Sequence, residues 1–204
     1  MISSRQAIRS LDPGVIERVL FVIGIALLTW YGLEKLTTMY EQRVAGRELE
    51  DVRIAVNTAP PAEASRRLQL ARSTVIGRIE VPRVGVTAIV REGDDNGVLR
   101  RAVGHIPETP LPGEPGNSGL AGHRDTFFRG LRNVRQGDRI VVTTPEAVLH
   151  YDVRSTGIVE PTDVSVLEPT PGSTLTLVTC YPFDYIGAAP KRFIVQANMT
   201  ASDD

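Results

Sequence analysis

A single thiol, Cys180, is the candidate nucleophile in this 204-residue sequence. It ends an alternating run, residues 174–180, and Tyr181 and Pro182 follow at once, so the thiol lies at the end of a predicted strand. A lone cysteine cannot form an internal disulfide and is either a packed apolar residue or a functional thiol. A strand end is where a sheet opens to solvent, whereas packed cysteines are more natural at mid-strand. The position of Cys180 therefore favours a functional thiol, whose reactive form is the thiolate.

A catalytic thiolate needs a proton acceptor or a cation close to it, and the sequence offers one of each. His123 ends a short apolar run, and the small residues Ala121 and Gly122 before it let another group approach closely. Arg192 begins the next predicted strand after Cys180, so a hairpin would bring the two strand ends together. Arginine stays charged and offers several donors, which suits it to stabilise a developing oxyanion.

Taken alone, either side chain also has an ordinary structural explanation. A histidine is more often a surface or structural residue, and that role is assigned to His105 and His150. Three histidines and one thiol do not make a zinc site with the usual ligand spacings. The acidic residues do not form a convincing cluster either, so no metal ligand is predicted; those considered are Glu80, Asp94, Asp95 and Asp125.

The charge balance limits the classes of partner. The sequence has 23 basic and 24 acidic side chains, a formal net charge of −1. No basic excess exists to neutralise phosphates, so nucleic-acid binding is not expected.

From residue 75 onward the sequence alternates short apolar runs with turns. Predicted strands cover 75–81, 85–90, 118–122, 139–144, 148–155, 175–179 and 192–197. The chain's 18 glycines and 14 prolines supply many of the turns between them. Short helical pieces are expected near 97–103 and 126–134. Seven or eight short strands with little helix predict a closed or nearly closed β-barrel, or a sandwich.

The N-terminal part contains one uncharged apolar run, residues 19–33. Extending it to Val15, with Glu17 and Arg18 snorkelling at the interface, brings it near the roughly 20 residues that span a bilayer. No small-x-small cleavage site is obvious after Leu33, so an uncleaved anchor is favoured over a signal peptide or a buried amphipathic helix. The arginines upstream place the N-terminus in the cytoplasm and export the rest of the chain; they are Arg5, Arg9 and Arg18.

These features divide the chain into four predicted parts. They are a cytoplasmic N-terminus (1–14), a transmembrane anchor (15–33), a polar stalk or linker (34–73) and an exported domain (74–204). The stalk is expected to be helical in part and to be interrupted where Pro60 and Pro61 block continuation.

The residues singled out above resemble those of the sortase family. The run at 175–180 matches the signature T-L-x-T-C, Gly122-His123-Arg124 is similar to the segment that bears the family's histidine, and Arg192 with Phe193 resembles its arginine strand. The three elements occur in the family's order across residues 76–197. The loop from Cys180 to Arg192 is most similar to class D sortases.

The resemblance implies an eight-stranded β-barrel behind a transmembrane helix, with no organic cofactor. It implies a cysteine transpeptidase that cleaves an LPxTG-like sorting signal near the C-terminus of a secreted protein. Cys180 would form the thioacyl-enzyme, His123 would transfer protons and Arg192 would stabilise the oxyanion. The acyl group passes to an amine of a cell-wall precursor or protein. Substrate-binding candidates are Thr179 and Leu177, which shape the strand beside the nucleophile, and Ala121 and Gly122, which leave room for substrate.

Two other functions are compatible with the same residues. A hydrolytic cysteine peptidase would use the same thiol and histidine without transfer to an amine. A non-enzymatic surface module would merely pack Cys180. No aspartate or asparagine that would orient His123 is identifiable, so a papain-like triad is not predicted.

Overall fold

The computed structural model describes residues 13–58 and 75–203. Described residues up to Tyr40 form one compact unit, and those from Glu41 onward form a second. Most of the predicted cytoplasmic N-terminus, and the stalk from residue 59 to residue 73, lie outside the described residues.

A single helix, α1 (Pro13–Thr58), contains the whole predicted anchor. Proline suits the first helical position because its missing N–H would be unpaired there anyway. Large apolar side chains of the anchor are exposed, among them Phe21, Leu28 and Trp30. Among the described residues, one helix is long and apolar enough to cross a membrane, and it is this one. The helix ends shortly before Pro60, in keeping with the predicted interruption.

The second unit contains a closed barrel of eight strands in the order β1-β2-β3-β4-β7-β8-β6-β5. The pairs β2–β3 and β4–β7 are parallel, and the others are antiparallel. The strands are β1 (Gly77–Val81), β2 (Val86–Glu92), β3 (Val103–His105), β4 (Gly116–Ala121), β5 (Arg139–Thr143), β6 (Val148–Val159), β7 (Ser173–Tyr181) and β8 (Lys191–Asp203). The predicted mainly β fold is confirmed as a barrel.

The helical pieces of this unit are short. Helix α2 (Asn96–Leu99) begins at the N-cap residue Asp95, whose side chain accepts hydrogen bonds from two backbone N–H groups. The 3-10 helices are Pro82–Val84, Arg129–Asn133 and Ser165–Leu167. The helix expected over 97–103 is therefore shorter than predicted, because the chain turns into β3 at Val103.

Alternate side chains of the strands fill the barrel interior, as the period of two requires. On β7 these are Leu175 and Leu177, and on β8 they are Val195 and Ala197, all completely buried. The residues between them face outward, and on β4, β7 and β8 this outward face carries the candidate site.

The later part of α1 packs against the barrel within the second unit. Ala45 and Leu49 form a buried cluster with Val75 and Ile89. The side-chain amide of Gln42 accepts from the Ile89 N–H (2.8 Å) and donates to the Arg101 carbonyl. β3 pairs with β2 only from Val90 onward, so this amide satisfies backbone groups that lie just before the ladder begins. Residues 41–49 of the predicted stalk thus contact the barrel, and the predicted domain boundaries stay predictions.

Candidate active site

Cys180 and Arg192 lie opposite each other on two neighbouring strands, and His123 lies two residues beyond the end of the third, β4. Cys180 on β7 lies directly opposite Arg192 on β8. On its other side β7 pairs with β4 as far as Ala121 opposite Val178, and the ladder continues because the Gly122 N–H donates to the Val178 carbonyl (3.1 Å). Extending this parallel register by two residues from Ala121 would bring His123 level with Cys180.

Hydrogen bonds at Gly122 and at His123 itself fix the segment that carries His123. The Thr179 hydroxyl donates to the Gly122 carbonyl (2.7 Å), and the Phe128 N–H donates to the His123 carbonyl (3.0 Å). A Cβ atom at Gly122 would lie 2.7 Å from the Phe128 ring, so the ring's close approach requires glycine there. The backbone at His123 is therefore held, and its side chain is half-buried.

A row of apolar side chains lies next to the row that contains Cys180 and Arg192. It consists of Ala121 on β4, Val178 on β7 and Ile194 on β8, which are paired across the three strands. Ala121 and Val178 are partly exposed. Two residues before Ala121 on β4, a Cβ added to Gly119 would lie 3.0 Å from Leu167 and 3.1 Å from Ile106. These two side chains therefore lie close to the glycine. The surface next to the thiol can accept an apolar group.

The segment between β6 and β7 is held along this apolar surface by buried polar groups. The Asn117 side-chain amide donates to the carbonyls of Val166 (2.9 Å) and Glu168 (3.1 Å). Its oxygen accepts from the Thr176 hydroxyl (2.7 Å). Both side chains are buried, so these bonds are protected from water. The signature includes Thr176, but no local pattern marks its partner Asn117, which lies on another strand.

The four predicted substrate-binding residues differ in exposure. Leu177 is completely buried and Thr179 is 2% exposed, so both shape the strand from inside the barrel. Gly122 is buried, whereas Ala121, in the apolar row, is partly exposed. Direct contact with a substrate stays a prediction for all four.

The other two histidines have partners of their own. His105 is 3% exposed; its Nδ1 lies 2.9 Å from the Glu92 carboxylate and its Nε2 lies 3.0 Å from the Pro110 carbonyl. His150 on β6 lies 3.0 Å from the Asp203 carboxylate on β8. These contacts fit the structural roles predicted for both. Within residues 13–58 and 75–203, no group of three or more His, Cys, Asp or Glu side chains could hold a metal ion.

The geometry provides the parts of nucleophilic acyl transfer. Cys180 is free and partly exposed, and a guanidinium lies on the strand directly opposite. A nearby cation favours the thiolate, and an imidazole on the segment that continues from β4 can move a proton to or from an amine. Among the described residues, no carboxylate or amide side chain hydrogen-bonds to the His123 ring.

Comparison with known proteins agrees with this chemistry. The family model of the Sortase domain matches residues 79–200. Sortase D of Bacillus subtilis (strain 168) is 30% identical in an alignment of 186 residues that covers 86% of this chain and 94% of the relative. A solved Clostridium perfringens Sortase D5 transpeptidase has a TM-score of 0.67 at 26% identity, covering 79% of this chain and 99% of that one. Sortase E1 from Streptomyces coelicolor, solved with a tripeptide in the active site, has a TM-score of 0.59 at 32% identity, covering 64% and 91% of the two chains. The resemblance drawn from the sequence is confirmed.

Proposed function

The chain belongs to the sortase family of cysteine transpeptidases, and from that membership we propose that it cleaves an LPxTG-like sorting signal of secreted proteins and transfers the acyl group to an amine. The observation that carries the proposal is the pairing of Cys180 with Arg192 beside an apolar surface, with His123 on the segment that continues from β4. The accepting amine belongs to a cell-wall precursor or to a protein.

The reaction proceeds through a thioester on Cys180. The thiolate attacks the scissile threonine carbonyl, and Arg192 with nearby backbone N–H groups stabilises the oxyanion. As the C–N bond breaks, His123 as imidazolium gives its proton to the departing amine. His123 as imidazole then removes a proton from the incoming amine, which attacks the thioester and releases the Cys180 thiolate.

The apolar row supports a substrate with apolar residues on the acyl side of the scissile bond. Ala121 and Val178 offer partly exposed surface next to the thiol, with Ile106 and Leu167 close by. Leucine and proline of an LPxTG-like signal present matching apolar groups without unpaired charge. Sortase E1 from Streptomyces coelicolor, as solved, holds a tripeptide in its active site, which supports peptide binding at the equivalent face.

Anchoring in the cytoplasmic membrane completes the proposal. The apolar part of α1 supplies the anchor, with the N-terminus in the cytoplasm and the catalytic unit outside. A transpeptidase held at this membrane meets secreted substrates as they emerge. Protease treatment of intact spheroplasts tests the topology: the barrel should be digested without lysis. Protection of the barrel until the membrane is broken would contradict it.

The decisive experiment is a cleavage screen with peptides varied around a Leu-Pro-x-Thr core, with and without an added amine. We expect cleavage, a thioacyl adduct on Cys180 and an amide product with the amine, all lost in Cys180→Ala. Free acid as the sole product at saturating amine would favour a hydrolytic peptidase. An alkylation rate of Cys180 as slow as that of a buried thiol would favour the non-enzymatic surface module.

A further inference from the structure

Arg124, the residue directly after His123, hydrogen-bonds to the segment that joins β7 to β8. This segment, residues 182–190, is named here the β7–β8 loop. The Nη2 atom of Arg124 donates to the Tyr185 carbonyl (2.6 Å) and to the Gly187 carbonyl (3.0 Å). A charged donor makes such bonds stronger than those between neutral groups. The backbone next to His123 is thus tied to the loop that follows Cys180.

The same loop also contacts Arg192. The Nη1 atom of Arg192 donates to the Lys191 carbonyl (3.1 Å) and, over a longer distance, to the Ala189 carbonyl (3.4 Å). Three alternate loop carbonyls, at positions 185, 187 and 189, therefore accept hydrogen bonds from two arginines. One arginine follows His123, and the other lies opposite Cys180.

The tip of the loop is largely exposed to solvent. Ile186, which lies between the two residues whose carbonyls bind Arg124, is 96% exposed, and Tyr185 is 47% exposed. Arg132 pairs with Asp184 (2.9 Å), but that carboxylate is 85% exposed, and an exposed ion pair contributes little. The Arg124 guanidinium is better shielded, since its Nη1 atom is buried without a hydrogen-bond partner. Burying that donor unpaired has a cost, which the two bonds from Nη2 offset.

We propose that Arg124 is a positioning residue that holds the β7–β8 loop and, through the Ala189 carbonyl, sets where the Arg192 guanidinium lies opposite Cys180. In this proposal Arg124 acts through Arg192, since its hydrogen bonds go to the loop carbonyls of Tyr185 and Gly187. The inference rests on the role of Arg192 in the proposed function, and it extends that role to a residue outside the catalytic row.

Alkylation of Cys180 measures the effect without any substrate. The sequence has one cysteine, so iodoacetamide labels a single thiol, and a cation opposite that thiol speeds its reaction. We expect Arg124→Ala to slow alkylation by about three- to tenfold, because the Arg192 cation would no longer be held opposite the thiol. In an Arg192→Ala background the same substitution should have no further effect, because the two residues act as one unit. Arg129→Ala, an exposed arginine on the same segment, is the matched control.

Digestion with chymotrypsin tests the loop directly, in a Cys180→Ala background. Cleavage after Tyr185 should be faster in Arg124→Ala than in the parent or in Arg129→Ala. If Arg124→Ala does not fold, Arg124→Gln, which is neutral and too short to reach both carbonyls, takes its place. Equal digestion rates overturn the proposal, as does an alkylation effect that persists undiminished without Arg192. Failure of the wild type to cleave any peptide would instead reject the proposed function, while these two measurements still decide the role of Arg124.

Discussion

The hydroxyl of Thr179 donates to the carbonyl of Gly122 over 2.7 Å, and this bond joins the residue before Cys180 to the residue before His123. Thr179 is 2% exposed and Gly122 is buried, so water does not compete for either group. The relative position of Cys180 and His123 therefore depends in part on a buried hydrogen bond between the residues that precede them.

Replacing Thr179 by valine should lower kcat/KM for peptide cleavage by about tenfold, because valine keeps the shape but leaves the Gly122 carbonyl without this donor. Thr179→Ser keeps the hydroxyl and should stay close to the wild type. Steady-state cleavage of the best library peptide checks both variants. Equal activity of the valine and serine variants would mean that the bond does not position His123.

His123→Ala and Arg192→Ala should each lower kcat/KM by about 10²-fold or more, the usual loss for a proton-transfer group or an oxyanion donor. Arg192→Lys should not restore activity, because an ammonium cannot reproduce a planar fork of donors. His150→Ala, whose ring pairs with Asp203 away from the catalytic row, should remain active and serves as the control. Activity of the lysine variant equal to that of the wild type would reduce Arg192 to a source of charge.

Much of the barrel and its catalytic row can be predicted from local patterns. Strands such as β1 and β7 alternate apolar and polar residues, and turn residues mark their ends. The signature before Cys180 fixes which strand end carries the nucleophile. The short strand β3 was missed because three residues, Val103–His105, are too few to show a period of two.

Contacts between residues far apart in sequence could not be predicted. Asn117 binds the carbonyl of Val166, and Gln42 binds the N–H of Ile89, yet nothing local in either segment indicates its partner. The same holds for Arg124, whose bonds to the β7–β8 loop depend on how β4 and β7 pair. Patterning determines which face of a strand is buried, whereas these side-chain contacts follow only from the assembled barrel.

Acid should weaken the fold through Asp138. Hydrogen bonds from Arg83 are the main cause that lowers the pKa of this carboxyl, and the Arg135 N–H (2.7 Å) adds to the effect. Because the folded pKa lies below the unfolded one, the stabilisation is present above about pH 4 and is lost as the pH falls through the folded value. Asp138→Asn should flatten the fall of unfolding free energy below pH 4 in urea titrations. Asp152→Asn, at a long exposed pair with Arg139, should leave it unchanged.

Tyr151 should make the fold sensitive to alkali. Its ring is completely buried, its hydroxyl accepts from the Gly113 N–H (2.8 Å), and burial raises its pKa to about 12. The unfolded chain ionises this phenol near pH 10, so the stabilisation is full below that pH and is lost as the pH rises toward 12. Tyr151→Phe should cost about 1–2 kcal/mol of unfolding free energy at neutral pH and reduce the alkaline loss. Tyr185→Phe, at an exposed position, is the control, and equal behaviour of the two variants would contradict the assignment.

Two truncations separate the part of α1 proposed as the anchor from the part that packs against the barrel. Deleting residues 1–40 removes the apolar run and should leave a soluble, active enzyme, because Gln42, Ala45 and Leu49 keep their contacts with the barrel. Deleting residues 1–58 uncovers Val75 and Ile89 and leaves the Ile89 N–H without Gln42, which should lower the unfolding free energy by about 2–4 kcal/mol. Urea unfolding of the two proteins, with peptide cleavage as a second readout, makes the comparison. If both unfold at the same urea concentration, residues 41–58 belong to the stalk that the sequence suggested, and their packing contributes nothing to the catalytic unit.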